Sequence, residues 1–558
     1  MRIEWDVPIE MDDGLVLRAD VFRPPDDGRY PVIMSQGPYG KGLAFQEGYA
    51  RQWEALARDH PEALAGSTNR YQAWELADPE RWVPDGYAVV RVDSRGSGSS
   101  PGVIDSRSPR EIRDFARCIE WAAERPWSNG RIGLLGISYY AINQWLVAGL
   151  QPPDLAAMIP WEGAADSYRD MSYHGGILCE FGGNWFRRQV MTVQHGMGDR
   201  APRNPSTGEP VAGAVTLSDE ELARNRVHRG QATMEHPLAD DWHRARSADW
   251  SRVAVPFLSA ANWGGQGLHA RGNFEAFTQA ASEQKWLEVH GLEHWTHFST
   301  PYGHGLQKRF FGHFLKGEDT GWDREPRVRL QVRHADGTFV ERHEHEWPLA
   351  RTRWTAYHLD PDGMGLSIVP TPVEGRVTYD APGDGVTFDI TISEETEITG
   401  PIAARFFVSS SSTDADLFVV LRVLDPGGKE VTFQGANAPD APVAQGWLRA
   451  SHRRLDPVRS LPHRPYHTHD VVEPLVTGEI VQLDAEIWPT CIVVPAGWRL
   501  ALSVRGRDCD YEGDVHRSCG PFTHGDPRDR PEAVFGGRVT LHAGGRYDSH
   551  VLLPVIPG

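Results

Sequence analysis

At 558 residues the chain is too long for one compact core and predicts roughly two to four domains. Lys and Arg total 57 against 76 Asp and Glu, a formal charge of −19 with no basic tract, which argues against nucleic acid or an anionic membrane as partner. No stretch approaches the roughly 20 apolar residues of a membrane span, and Met1-Arg-Ile-Glu-Trp-Asp carries acids where a signal peptide carries Lys or Arg, so a cytoplasmic protein is expected. The five cysteines (Cys118, Cys179, Cys491, Cys509, Cys519) form no C-x-x-C pair and read as reduced structural thiols.

The first third alternates strand and helix patterns. Leu15 to Phe22 alternates apolar and polar residues like a half-buried strand. Pro31 to Ser35 and Tyr87 to Asp93 are short apolar runs, stopped by the Gly-rich segments Gln36 to Gly42 and Ser94 to Ser100. Ile112, Phe115, Cys118, Ile119 and Ala122 share one helical face within Glu111 to Glu124. Arg131 to Gly136 is a buried strand, followed by helix from Ala141. Leu155 to Pro160, Val255 to Ala261 and Lys285 to His290 read as later strands, and Leu306 to Leu315 as a closing helix. Strand–helix–strand order implies a mostly parallel sheet. Beyond about residue 322 helical periodicity fades, and short strands such as Arg327 to Val332, Leu417 to Leu424 and Leu500 to Val504 take over.

The expected fold is therefore an α/β-hydrolase domain with a helical cap insertion, followed by an all-β, jelly-roll-like sandwich. Residues 1–166 form the first part of the hydrolase core, 167–250 the cap, 251–321 the second part of the core, and 322–558 the β-sandwich.

Gly136-Ile-Ser138-Tyr-Tyr joins a buried strand directly to a helix, the context of a nucleophile elbow. Such a turn exposes the serine and places a helix N-terminus behind it, where developing negative charge is favoured. The second glycine of G-x-S-x-G is absent, because Tyr140 holds its place. The expected chemistry is hydrolysis of an ester, or of an amide, through Ser138.

With these residues the chain resembles the cocaine esterase, α-amino-acid ester hydrolase and Xaa-Pro dipeptidyl-peptidase family. The resemblance runs through Gly136 to Trp145, Asp93 to Gly102, Pro38-Tyr39-Gly-Lys41, Phe310 to Gly317, Gly446 to Arg453 and Val494 to Leu500. It implies an oxyanion hole built from the Tyr39 hydroxyl and the Tyr139 backbone N–H. It implies no cofactor and no metal, and a small ester or amide as substrate, and it leaves a homo-oligomer open. Xaa-Pro-type peptidase, acyltransferase and a binding protein on a degenerate hydrolase scaffold remain the alternatives.

A general base is expected after the last strand, where His290, His294 and His297 compete. The G-x-x-H spacing from Gly291 selects His294, and the family's Gly-Pro-Trp-x-His pattern selects His297. His290, ending the strand, reads as structural. The family's acid position falls on Gly265, which has no side chain to orient an imidazole. Glu162, after the strand Leu155 to Pro160, is the expected relocated acid, with Asp166 and Glu293 behind it. Trp161 and Trp263 stand beside these segments as candidate substrate-binding aromatics. His343, His345, His463, His467 and His469 lack convergent ligand spacing and are not read as a metal site.

Overall fold

A ten-stranded mixed sheet carries the N-terminal half of the computed structural model, which describes residues 1–511, 517–518 and 521–558. In chain order its strands are β1 (Arg2–Glu10), β2 (Val16–Arg23), β3 (Tyr30–Gly37), β4 (Ala88–Asp93), β5 (Ser128–Ile137) and β6 (Leu155–Trp161). A two-residue hairpin, β7 (Tyr173–His174) and β8 (Ile177–Leu178), stands apart from it. The sheet resumes with β9 (Phe257–Asn262), β10 (Lys285–His290), β11 (Val328–Arg333) and β12 (Phe339–Glu344). The spatial order β1-β2-β4-β3-β5-β6-β9-β10-β11-β12 is parallel from β4 through β11 and antiparallel at both ends.

The crossover helices form for legible reasons. Helix Pro109–Ala123 has Ser108 as N-cap, accepting from the Glu111 N–H, with Pro109 in the first turn. It buries Ile112, Phe115, Cys118, Ile119 and Ala122, the face expected from the spacing. Helix Tyr139–Ala148 is apolar around most of its circumference, and all ten residues are buried, as a helix between a sheet and an insertion must be. Tyr140 fits where a glycine was expected because the glycines are opposite it. A Cβ on Gly37 would stand 2.5 Å from the Tyr140 ring, and one on Gly136 would stand 2.5 Å from its Cβ.

Residues 167–250 hold short helical segments, among them Asp219–Arg224 and Arg229–Glu235, together with the β7–β8 hairpin. Residues of this segment, among them Met171, Trp185 and Arg229, line the same cavity as Ser138. The C-terminal domain is all-β. Among the described residues its main sheet has eleven strands, including Thr396–Ser410, which pairs with Val481–Val494 on one side and Arg538–Ala543 on the other. The last strand, His550–Ile556, pairs back onto it and closes the ladder.

Two expectations need correcting. Val328–Arg333, expected to open the β-domain, instead extends the hydrolase sheet, with Leu287 opposite Val328 in parallel register and β12 completing the edge. An alternating strand pattern shows that one face is buried but not which sheet it joins. Cysteine is the second. Cys118, Cys179 and Cys491 are free and buried, whereas Cys509 is disulfide-bonded, and Cys519 lies outside the described residues. Among the described residues no helix is long and apolar enough to cross a membrane.

The two halves share buried side chains. Arg333 donates to the carbonyls of Cys491 (2.8 Å) and Val443 (3.0 Å). Trp263, Trp347, Trp447 and Trp488 belong to one apolar cluster at the junction. The β-domain also reaches the edge where the site lies, since the Ala436 carbonyl accepts from the His294 N–H at 3.2 Å.

Candidate active site

Parallel α/β sheets expose ligand sites at the carboxyl ends of their strands. Ser138 follows β5, Glu162 follows β6, His269 lies beyond β9, and Tyr39 lies beyond β3. Ser138 has φ 57° and ψ −114°, and Glu162 has φ 52°, a left-handed region that non-glycine residues occupy at a cost of about 1–3 kcal/mol each. Both positions are locked by their neighbours. The Ser138 N–H donates to the Trp161 carbonyl (3.1 Å), and the Glu162 N–H to the Ala260 carbonyl (2.7 Å).

The histidine at the serine is His269, not one of the three expected beyond the last strand. Its Nε2 lies 3.0 Å from Ser138 Oγ, where the hydroxyl can donate to it. It caps helix Ala270–Gln279 at the end of the turn Gly264 to Leu268, and Gly265 shapes that turn by accepting from the His269 N–H (3.1 Å). The glycine found where the family has an acid therefore places a histidine instead. No spacing in Gly264 to His269 marks a base, because the fold of that turn over Ser138 is tertiary.

Glu162 is fully buried at the centre of this group. Its Oε1 accepts from His290 Nε2 (3.0 Å) and Asn262 Nδ2 (3.1 Å). Its Oε2 has no hydrogen-bond partner, and neither has His269 Nδ1; the two atoms stand 3.7 Å apart. Burial opposes ionisation of Glu162, but the hydrogen bond from His290 and three neighbouring histidines outweigh it and hold its carboxyl below the usual range. His290 is pulled the other way. Burial would discharge it, yet Glu288 at 2.7 Å and Glu162 raise it to about 9, so it stays cationic between them. Burial pushes His269 down to about 3, partly countered by Glu162, which leaves it neutral and able to take a proton.

The other expected bases lie elsewhere. His294 Nε2 contacts Glu75 Oε1 at 3.0 Å, and its Nδ1 lies 3.2 Å from the Ala436 carbonyl. Burial opposes its charge, but Glu75 overrides this and raises its pKa. His297 packs against His290 and Tyr302 and makes no contact with Ser138. Asp166 accepts from the Tyr168 and Arg169 N–H groups and pairs with Arg169 at 2.8 Å, and Glu293 accepts from Thr296. Trp161 and Trp263 are both 0% exposed, and neither borders the cavity. Trp161 packs on His290 and Phe298, and Trp263 donates to the Gln331 carbonyl at 2.8 Å.

Tyr39 borders the same cavity as Ser138. Its Oη accepts from Trp185 Nε1 at 2.9 Å, which leaves the phenolic proton free to donate. The loop that carries it is pinned by Lys41, buried among Asp6, Asp20 and Asp93 at 2.6, 3.3 and 3.4 Å. Tyr139 opens its helix, so its N–H has no intrahelical acceptor. Its side chain turns away, donating to Glu111 at 2.7 Å. The cavity above Ser138 encloses ≈ 470 Å³, with Tyr39, Trp185 and Leu268 among its walls.

This sheet, with its strained serine and the histidine that faces it, is that of an α/β-hydrolase of the serine type. Family models make the assignment specific. Residues 13–299 match the X-Pro dipeptidyl-peptidase (S15 family) and 320–552 its C-terminal non-catalytic domain, and the chain belongs to this family of serine hydrolases. It is 34% identical to a CocE/NonD family hydrolase of known structure from Staphylococcus aureus, with a TM-score of 0.85 over 99% of this chain and 94% of that one. The cocaine esterase of Rhodococcus sp. is 24% identical over 99% of this chain and 98% of its own. An α-amino acid ester hydrolase structure shares the fold at 16% identity, with a TM-score of 0.65 over 99% of this chain and 96% of that one.

Proposed function

We propose that the protein hydrolyses carboxylic esters through an acyl-enzyme on Ser138, with His269 as general base and Glu162 as its acid partner. The 3.0 Å approach of His269 Nε2 to Ser138 Oγ carries this reading. Ser138 Oγ attacks the ester carbonyl as its proton passes to Nε2. The oxyanion is held by the Tyr39 hydroxyl and the Tyr139 N–H, and each such donor is worth about 2.7–4 kcal/mol in comparable sites. The ester C–O bond then breaks, and Nε2 returns the proton to the departing alcohol. Water attacks the acyl-enzyme by the same route and frees the acid.

The two unpartnered atoms, His269 Nδ1 and Glu162 Oε2, support the acid assignment. A shift of less than 1 Å would bring them within hydrogen-bond reach, and unliganded sites often hold such contacts long. Ester cleavage is favoured over removal of N-terminal dipeptides, which needs a carboxylate for the substrate's free amine. Of the acids bordering the cavity, Glu180 accepts from Thr523 and Gly525, and Asp526 is paired with Arg528.

The test is intact-mass labelling with a fluorophosphonate. One stoichiometric adduct on the wild type, absent from Ser138→Ala and strongly slowed in His269→Ala, is expected. A folded wild type that takes no adduct would remove the hydrolase mechanism and favour a binding role for the scaffold.

A further inference from the structure

The chain as a whole is acidic, yet the cavity above Ser138 is lined by four arginines (Arg107, Arg187, Arg229 and Arg528) and only two acids, Glu180 and Asp526. Two of the arginines are accounted for. Arg528 pairs with Asp526, and Arg187 donates to the Asn184 side chain. The other two are nearly buried, Arg107 at 6% and Arg229 at 3% exposure, and among the described residues neither guanidinium has a carboxylate within ion-pair distance.

The nearby acids are engaged elsewhere. Asp105 is held by both its oxygens to Arg246 at 2.9 Å, and Glu111 accepts from the Tyr139 hydroxyl and the Arg107 backbone N–H. Arg229 donates Nη2 to the hydroxyls of Ser172 (3.0 Å) and Ser167 (3.2 Å), but its Nη1 is buried with no acceptor. Arg107 lies over the rings of Tyr139 and Trp185, and its Nε also lacks an acceptor. Burial pushes the pKa of both down, and for Arg229 the nearby charges of Arg107 and Arg246 add to the effect. Glu111 and Asp105 offset this only in part, from beyond ion-pair distance, and two buried guanidiniums without a directly paired carboxylate in one cavity wall favour an anion there.

Resting on the ester-hydrolase reading, we infer that the substrate carries a carboxylate, which Arg229 and Arg107 bind in the cavity above Ser138. A guanidinium offers a planar fork of N–H donors that matches a carboxylate. The two serine hydroxyls and the Trp242 face, 4.6 Å from the Arg229 guanidinium, hold that fork in place. The substrate class is then a half-ester of a dicarboxylic acid, or an ester whose alcohol part bears the carboxylate.

Two substrate series separate these forms. One sets 4-nitrophenyl monoesters of succinate and adipate against their methyl-capped diesters. The other sets 4-acetoxybenzoate against its methyl ester. In at least one series the wild type should show a kcat/KM higher for the anion by on the order of 10- to 100-fold, the value of a hydrogen bond to a charged group. Arg229→Gln should collapse that ratio towards one, and Arg229→Lys should recover part of it. A wild type that turns over the capped esters as well as or better than the anions in both series overturns the inference while leaving the hydrolase intact. An Arg229→Gln enzyme that keeps the full ratio also overturns it. No turnover of any ester and no phosphonate adduct defeats the underlying reading as well. Should Arg229→Gln fail to fold, the wild-type ratios decide alone.

Discussion

The loops after β9 and β10 each bring a histidine towards a buried carboxylate, and they do opposite things with it. Beyond β9, His269 keeps Nε2 on the serine and leaves Nδ1 unpartnered, facing Glu162 across 3.7 Å. Beyond β10, His294 has Nε2 on Glu75 at 3.0 Å, a contact that raises its pKa against the opposing effect of burial. The imidazoles are near neighbours, 5.7 Å between ring centroids. Environment separates the two rings, because burial lowers the pKa of the one that faces Ser138 while Glu75 raises that of the other and occupies its Nε2.

The comparison breaks most decisively at the base. His269→Ala should lower kcat by on the order of 10⁴–10⁶-fold, as loss of a catalytic histidine does in serine hydrolases. His294→Gln should keep phosphonate labelling of Ser138, but it leaves Glu75 buried without its partner. The expected cost is about 3–5 kcal/mol of stability, read as a lower denaturation midpoint. If His294→Gln abolishes labelling and His269→Ala does not, the two roles are reversed.

Next in size is the acid. Glu162→Gln keeps the shape and removes the charge, and on the order of 10²–10⁴-fold should go from kcat, the upper end matching a triad acid made neutral. An effect under about threefold would mean that the 3.7 Å gap never closes. Tyr39→Phe should follow, at on the order of 10²–10³-fold in kcat with KM little changed, since the donor acts on charge that develops in the transition state. A rise in KM alone would place Tyr39 in substrate binding.

The same two loops mark how far the sequence could be read. Ser138 was legible because a strand, a turn and a helix lie contiguous around it. The place of Glu162 at a strand end was legible from the apolar run before it, and that strand end lies beside Ser138's own. His269 was not, since nothing in Gly264 to Leu268 shows that the turn folds back over Ser138. That geometry comes from the Gly265 carbonyl accepting the His269 N–H and from the β-domain loop packing on Gly264. The G-x-x-H spacing chose His294, which a partner 219 residues away, Glu75, had already engaged. Trp161 and Trp263 pointed to substrate by position along the chain, while their burial serves the sheet and the domain junction. Spacing locates strand ends; what faces what across them is tertiary.

The smallest effect is on the pH profile, and it tests the charge states themselves. Burial pushes His269 down to about 3, so it stays neutral until the pH falls far below the usual 6.5 of a histidine. The acid limb of kcat/KM should therefore lie below pH 5. His290 runs the other way, because its pKa is raised to about 9 in the folded chain. Its contribution to stability is complete below about 6.5 and is lost as the pH rises through about 9. Between pH 5 and 8 both keep the states drawn here in the folded chain, so kcat/KM should change little as far as these two groups are concerned, whereas the denaturation midpoint should rise towards about pH 6.5 as unfolded His269 loses its proton and fall above it as unfolded His290 does. An acid limb centred near 6.5 would show that His269 titrates as an exposed ring does, and its contrast with His294 would then need another cause than burial.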